Sequence, residues 1–138
     1  MTPQPMSTPT VGILLVSHSA ELAVGAAHLA AQVSGGTVTI VAAGGTDDGE
    51  LGTSAAKVAR GIGEAEHGAG VVILPDLGSA VLTVRALLGE ADDLPAPVEL
   101  ADAPFVEGAV AATVAAAGGA DIKAVLAAAE GAHHARKL

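Results

Sequence analysis

Apolar positions along the chain fall into short continuous runs, separated by longer stretches with helical spacing. The first run, Val11-Gly12-Ile13-Leu14-Leu15-Val16, closes on Ser17-His18-Ser19. A brief uninterrupted apolar run predicts a strand covered on both faces, as in parallel sheets. From Ala20 to Val33 the period changes. Leu22, Ala26, Leu29, Ala30 and Val33 then share a helical face, Ser19 is a suitable N-cap, and Gly35-Gly36 stops the helix. Thr37–Ala43, rich in β-branched residues, predicts a second strand. A Gly- and Asp-rich loop, Gly44–Gly52, follows, and Thr53 or Ser54 can cap a helix reaching about Glu66. Val71–Leu74 predicts a third strand, Pro75-Asp76-Leu77-Gly78 a tight loop, and Ser79 the cap of a helix through Leu88. A polar connector containing proline leads to a fourth strand, Val98–Ala101. Pro104 suits the first turn of a helix reaching about Ala117, ended by Gly118-Gly119, and Asp121 caps a last helix, Ile122–Glu130.

Strand and helix thus alternate four times. That order predicts an open, doubly wound α/β fold: a mostly parallel four-stranded sheet with helices on both faces. One domain is expected over residues 11–132 of the 138. Met1–Thr10, with Pro3, Pro5 and Pro9, reads as a disordered leader in which Met6 is a second candidate start. Residues 133–138 read as a frayed polar tail.

Composition narrows the function classes. Six Lys and Arg against fifteen Asp and Glu give a net charge of −9, which argues against a phosphate-backbone binder. A single Phe, with no Tyr or Trp, argues against a base-stacking platform. The lack of Cys removes disulfides, thiolate zinc sites and thiol catalysis. No apolar run approaches the roughly 18–20 residues of a membrane span, and the first ten residues have no secretory pattern. A soluble cytoplasmic protein is expected.

In an open α/β sheet, ligands bind beyond the carboxyl ends of the strands. Three polar, glycine-rich loops converge there: Ser17-His18-Ser19, Gly44–Ser54 and Asp76–Ser79. A nucleophilic His needs one ring nitrogen open to an electrophile and the other held by an acceptor. His18 fits the first role. Asp76, at the end of a strand expected beside the first, is the best-placed acceptor. Helix N-termini bind oxyanions through backbone N–H groups, and Gly52, Thr53 and Ser54 offer one such terminus, Gly78 and Ser79 another. Together with the Ser19 hydroxyl they suggest a cradle for a phosphoryl group carried transiently on His18. Plainer readings stand beside this one: a capping or solvent-facing His18, glycines that serve only as turns, and Asp76 as a helix cap. His28, His67, His133 and His134 read as helix-surface, helix-end and tail residues. Neither Asp47-Asp48 nor Asp92-Asp93 forms an acid/base pair or a metal site, and no phosphate-binding Gly-Lys-Ser/Thr occurs.

Four segments taken in order resemble a known family: Val16-Ser17-His18-Ser19, Gly52-Thr53-Ser54, Asp76-Leu77-Gly78-Ser79-Ala80 and Ala103-Pro104-Phe105-Val106-Glu107-Gly108-Ala109. They are similar to DhaM, the phosphoryl-carrier subunit of the phosphotransferase-system-dependent dihydroxyacetone kinase, which has the mannose-type enzyme IIA fold. The resemblance spans about Val11 to Ala132. It implies that His18 is phosphorylated by phospho-HPr and passes the group to ADP held by the DhaL subunit. ATP regenerated there would phosphorylate dihydroxyacetone on DhaK. It further implies a homodimer, no permanently bound cofactor or metal, and a phosphohistidine as the intermediate. Asp76 and Ser79 match positions beside the active histidine, and Gly52, Thr53 and Ser54 match the neighbouring loop. Longer family members continue into HPr-like and enzyme-I-like domains, which are expected here as separate proteins. Mannose-type relatives exchange a C-terminal strand, a feature not expected where Asp121–Glu130 reads as helix.

Three other readings remain. One is the enzyme IIA of a mannose-family sugar transporter, with a IIB protein as acceptor. Another is a tetrapyrrole metal chelatase, which would need further metal-facing His or Glu residues. The third is a non-catalytic interaction module.

Overall fold

A computed structural model describes residues 9–90 and 97–138. Four strands, β1 (Gly12–Ser17), β2 (Ile40–Gly44), β3 (Val71–Pro75) and β4 (Val98–Leu100), form one sheet in the order β2-β1-β3-β4. Every pairing is parallel, so the expected mostly parallel sheet is parallel throughout. Five helices complete the fold: α1 (Ala20–Ser34), α2 (Ala55–Ala65), α3 (Gly78–Glu90), α4 (Phe105–Ala117) and α5 (Ile122–Gly131). Most of the expected leader, residues 1–8, and most of the expected connector, residues 91–96, lie outside the described residues.

The alternation within β1 builds two cores. Ile13 and Leu15 face one side, where they join Val72, Leu74 and the alanines of α1, α4 and α5. Leu14 and Val16 face the other, with Ile73 and the buried sides of α2 and α3. The continuous apolar runs therefore mean what the sequence suggested, strands covered on both faces.

Several details depart from the sequence reading. β2 starts at Ile40 rather than Thr37, because the ladder with β1 begins at Ile13↔Ile40. On α1 the buried seam is Ala23, Ala26 and Ala30, while Leu22, Leu29 and Val33 are about half exposed. At 100° per residue the leucine face lies about a quarter turn from that seam. Alanine lets the helix axis come close to its neighbours, so the small residues, not the large ones, mark the buried side. Ser79 does not cap α3: the Leu77 carbonyl accepts from the N–H groups of Ala80 and Val81, so the helix starts earlier and Ser79 lies in its first turn. The chain end is not frayed throughout. Ala132–His134 forms a 3₁₀ turn, His133 Nε2 lies 2.9 Å from the Asp102 carbonyl, and Lys137 pairs with Glu107 at 3.0 Å. Asp121–Glu130 is helical as expected, with Asp121 accepting from the Ala124 N–H.

Strand order places the switch point between β1 and β3, whose chains leave toward opposite edges of the sheet. That is where open α/β folds form a crevice. β4 ends at Leu100, opposite Ile73, so by Pro75 there is no further strand to receive an N–H on that side, and proline costs no ladder bond. On the other side Gly44 lets the start of α1 approach. A Cβ there would stand 2.5 Å from the Ser19 carbonyl oxygen and 2.7 Å from the Ala20 Cα. Gly44→Ala is expected to destabilise the fold by about 1–3 kcal/mol through overpacking against this backbone, as measured by urea unfolding; unchanged stability would refute the close approach.

Candidate functional site

The register Val16↔Pro75 brings the ends of β1 and β3 level, and the Asp76 N–H donates to the Val16 carbonyl at 3.0 Å. Ser17, His18 and Asp76 are thereby adjacent although 58 or more residues separate them in sequence. Four donors converge on the Asp76 carboxylate. Oδ2 accepts from the Ser17 hydroxyl at 2.8 Å and the His18 backbone N–H at 3.0 Å. Oδ1 accepts from the Leu77 N–H at 2.7 Å and from His18 Nδ1 at 2.9 Å. Burial works to raise the Asp76 pKa, but the hydrogen bonds from the His18 backbone, Ser17, the His18 ring and the Leu77 backbone outweigh it and hold the carboxyl below its ordinary value.

An ionised carboxylate only accepts hydrogen bonds, so Nδ1 of His18 carries the proton and the neutral ring keeps its lone pair on Nε2. Nε2 contacts the Ser79 hydroxyl, which can donate to that lone pair. The ring is shielded but reachable: the His18 side chain is 22% exposed and that of Asp76 9%. Ser79 and Gly78 open α3, and the first N–H groups of a helix have no carbonyl one turn earlier to accept them. The nucleophilic nitrogen thus faces a helix start suited to an oxyanion.

The other expected site residues support this core from outside. The Gly52 N–H donates to the His18 carbonyl at 2.9 Å, and Thr53 bridges Gly45, so this loop clasps the His18 backbone. Thr53 Oγ1 is buried without a partner. The Ser54 hydroxyl caps α2 through the Lys57 N–H and donates to Asp47 at 2.6 Å. The Ser19 hydroxyl caps α1 through the Leu22 N–H. Ser17 was not a candidate from sequence. Its signal was available: a polar residue closing an apolar strand, fully buried in the structure. A groove of about 640 Å³ runs from Asp76 past Val81 and Arg85 to Asp102, beside His18 rather than around it. Leu77, 62% exposed, and Leu22, 45% exposed, stand on the surface of the elements that carry the site. Among the described residues no group of three or more His, Asp or Glu side chains is placed to hold a metal ion. No described helix is long and apolar enough to cross a membrane.

Residues 12–126 match the EIIA-man family, described as PTS system fructose IIA component. The chain belongs to this family. Among its relatives is the phosphoryl donor subunit DhaM of the PEP-dependent dihydroxyacetone kinase of Providencia stuartii, 44% identical over 84% of this chain. A second is the corresponding subunit of Listeria innocua kinase 2, 38% identical over 75% of this chain and 84% of the relative. The Escherichia coli DhaM is 40% identical over 84% of this chain. The chain spans only a quarter of the length of the Providencia and Escherichia proteins. The crystal structure of the unknown-function protein EF1359 superposes with a TM-score of 0.75 at 37% identity, covering 88% of this chain and 93% of that one. The resemblance to DhaM seen in the four sequence segments therefore extends over most of the chain.

The depressed Asp76 pKa has a defined pH signature. A group whose folded pKa lies below its unfolded value stabilises the fold above the unfolded value, and that contribution is lost as pH falls through the folded one. Asp76→Asn is expected to cost about 1–3 kcal/mol at neutral pH. The gap from the unaltered protein should narrow as pH drops below the ordinary carboxylate value of 3.8. Urea unfolding across an acid pH series checks this, and a gap independent of pH would contradict the assignment.

Proposed function

We propose that the protein is a phosphohistidine relay. His18 accepts a phosphoryl group from phospho-HPr and transfers it to ADP bound to DhaL, supporting PEP-dependent phosphorylation of dihydroxyacetone through DhaK. One observation carries the reading: Nδ1 of His18 is held by Asp76, while Nε2 faces the start of α3. In the forward step the Nε2 lone pair attacks phosphorus, an Nε2–P bond forms, and the donor's N–P bond breaks with its electron pair returning to the donor ring. His18 then carries Nδ1–H and Nε2–P together, and the positive charge of that ring is balanced by Asp76. Transfer to ADP reverses the order: a terminal phosphate oxygen of ADP attacks, the Nε2–P bond breaks, and the pair returns to Nε2.

The N–H groups of Gly78 and Ser79 and the Ser79 hydroxyl form one wall of the phosphoryl cradle in this reading. The Gly52-Thr53-Ser54 turn and Ser19 back this wall from outside, with the Gly52 N–H held by the His18 carbonyl and the Ser19 and Ser54 hydroxyls capping α1 and α2. Shallow exposure supports a relay, since two proteins must reach the same nitrogen in turn. The apolar Leu22, Leu77 and Val81 and the chain's net charge of −9 suit docking of a basic carrier. The exposed Leu29 and Val33, farther along α1, support a homodimer. The protein acts in the cytoplasm in this reading, and it needs neither a resident cofactor nor a metal. The family's description as a fructose IIA component favours a second reading in which a transporter IIB protein is the acceptor.

Incubation with phosphoenolpyruvate, enzyme I and HPr is expected to place acid-labile, base-stable phosphate on His18, and a DhaL–ADP complex should then discharge it. His18→Ala should fold normally and take up none. Labelling of that variant would refute the assignment of His18, and discharge to a IIB protein but not to DhaL–ADP would favour the second reading.

A further inference from the structure

We infer that Ser17 is a positioning residue of this site, acting through Asp76 to fix which nitrogen of His18 is nucleophilic. The inference rests on the relay reading for its consequence in phosphoryl transfer, but its geometry is independent of any donor. Ser17 ends β1 and is fully buried, with its hydroxyl enclosed between two partners. The Ser19 N–H donates to Ser17 Oγ at 3.0 Å. A backbone N–H can only donate, so Ser17 must answer it with a lone pair, and its one proton is left for Asp76 Oδ2 at 2.8 Å. The ionised carboxylate can only accept, so the Ser17 proton points to Asp76, and the Ser19 N–H on one hydroxyl lone pair holds the rotor in that orientation.

Two consequences follow for the carboxylate. With Ser17 donating, Oδ2 faces two donors, the Ser17 hydroxyl and the His18 N–H, and a proton on that oxygen would meet both. Ser17 thus favours the ionised form, in line with its share in holding the Asp76 pKa down. It also fixes the rotation of the carboxyl plane, which aims Oδ1 at Nδ1 of His18. An ionised, aimed Oδ1 demands a proton on Nδ1 and so reserves Nε2 for the electrophile. Through Ser19, which caps α1, the same hydroxyl ties the start of α1 to the loop that opens α3.

The test uses the whole chain with Ser17→Ala and Ser17→Thr, the second keeping the hydroxyl. Long-range proton–nitrogen correlation spectra of the uncharged protein, at a pH where the ring is neutral, report the His18 tautomer directly. The unaltered protein should show the Nδ1–H form almost alone. Ser17→Ala should mix in the Nε2–H form, slow initial phosphoryl uptake from phospho-HPr about tenfold, and move the acid titration of the Asp76 carboxyl carbon resonance upward as Asp76 protonates more easily. Ser17→Thr should restore all three. A folded Ser17→Ala variant with the original tautomer and the original Asp76 titration overturns the inference, whatever its rate. Should Ser17→Ala fail to fold, Ser17→Thr and Ser17→Val, matched in shape, give the same comparison. If the unaltered protein takes up no phosphoryl group yet its tautomer depends on the Ser17 hydroxyl, the relay reading falls and the positioning role stands.

Discussion

The site depends on the carboxylate of Asp76 being saturated by four hydrogen bonds, two on each oxygen. None of these partners could be supplied by a flexible loop with the same certainty. Two come from the backbone of residues flanking the strand ends, and two from side chains whose direction the sheet register sets. In a strand the side-chain direction alternates, so a slip of one residue between β1 and β3 would turn Ser17 away and lose the constellation. The apolar residues just before the site prevent that slip. Ile13 and Leu15 must enter one core and Leu14 and Val16 the other. Hydrophobic burial fixes the register, and the register fixes a proton on one imidazole nitrogen.

Much of this was legible in the sequence because strand ends in an open α/β sheet converge by topology. His18, Asp76 and Ser79 each follow or adjoin a strand end, and their meeting required only that β1 and β3 be neighbours. What each hydroxyl does was less legible. A serine near a helix start carries the same local signal whether it caps the helix, as Ser19 and Ser54 do, or reaches across to another loop, as Ser79 does. The difference lies in where the Leu77 carbonyl begins the helical ladder, a backbone matter that composition does not encode. The role of Ser17 was not legible because its partners, Asp76 and the Ser19 N–H, acquire meaning only once the strands are paired.

The apolar face of α1 shows a related limit of reading from sequence. Periodicity locates an apolar stripe but cannot say whether large or small residues define the contact. Here the contact belongs to Ala23, Ala26 and Ala30, and the same pattern recurs on α4, where Ala109, Ala112 and Ala116 are fully buried. A core with so little aromatic volume closes by bringing helices near the sheet. Gly44, which lets the Ser19–Ala20 backbone come close, and Gly108, whose Cβ would meet Leu74 and Ala103, belong to the same design. Close packing then leaves the leucines of α1 outside, as apolar surface that other proteins can use.

This division of labour bears on how a relay must work. A carrier that bound its phosphoryl group tightly would accept it and not release it. The charged ring therefore has to be steadied without being sealed. Asp76 does the steadying from beneath, almost wholly buried, while Nε2 stays at the surface with only a serine hydroxyl and a helix start beside it. In the proposed relay those contacts follow a phosphoryl group as it arrives and leaves, because a hydroxyl rotates and first-turn N–H groups donate to water in its place. In that proposal the rigid half of the site sets which nitrogen reacts, and the exposed half leaves the direction of transfer to whichever partner is docked.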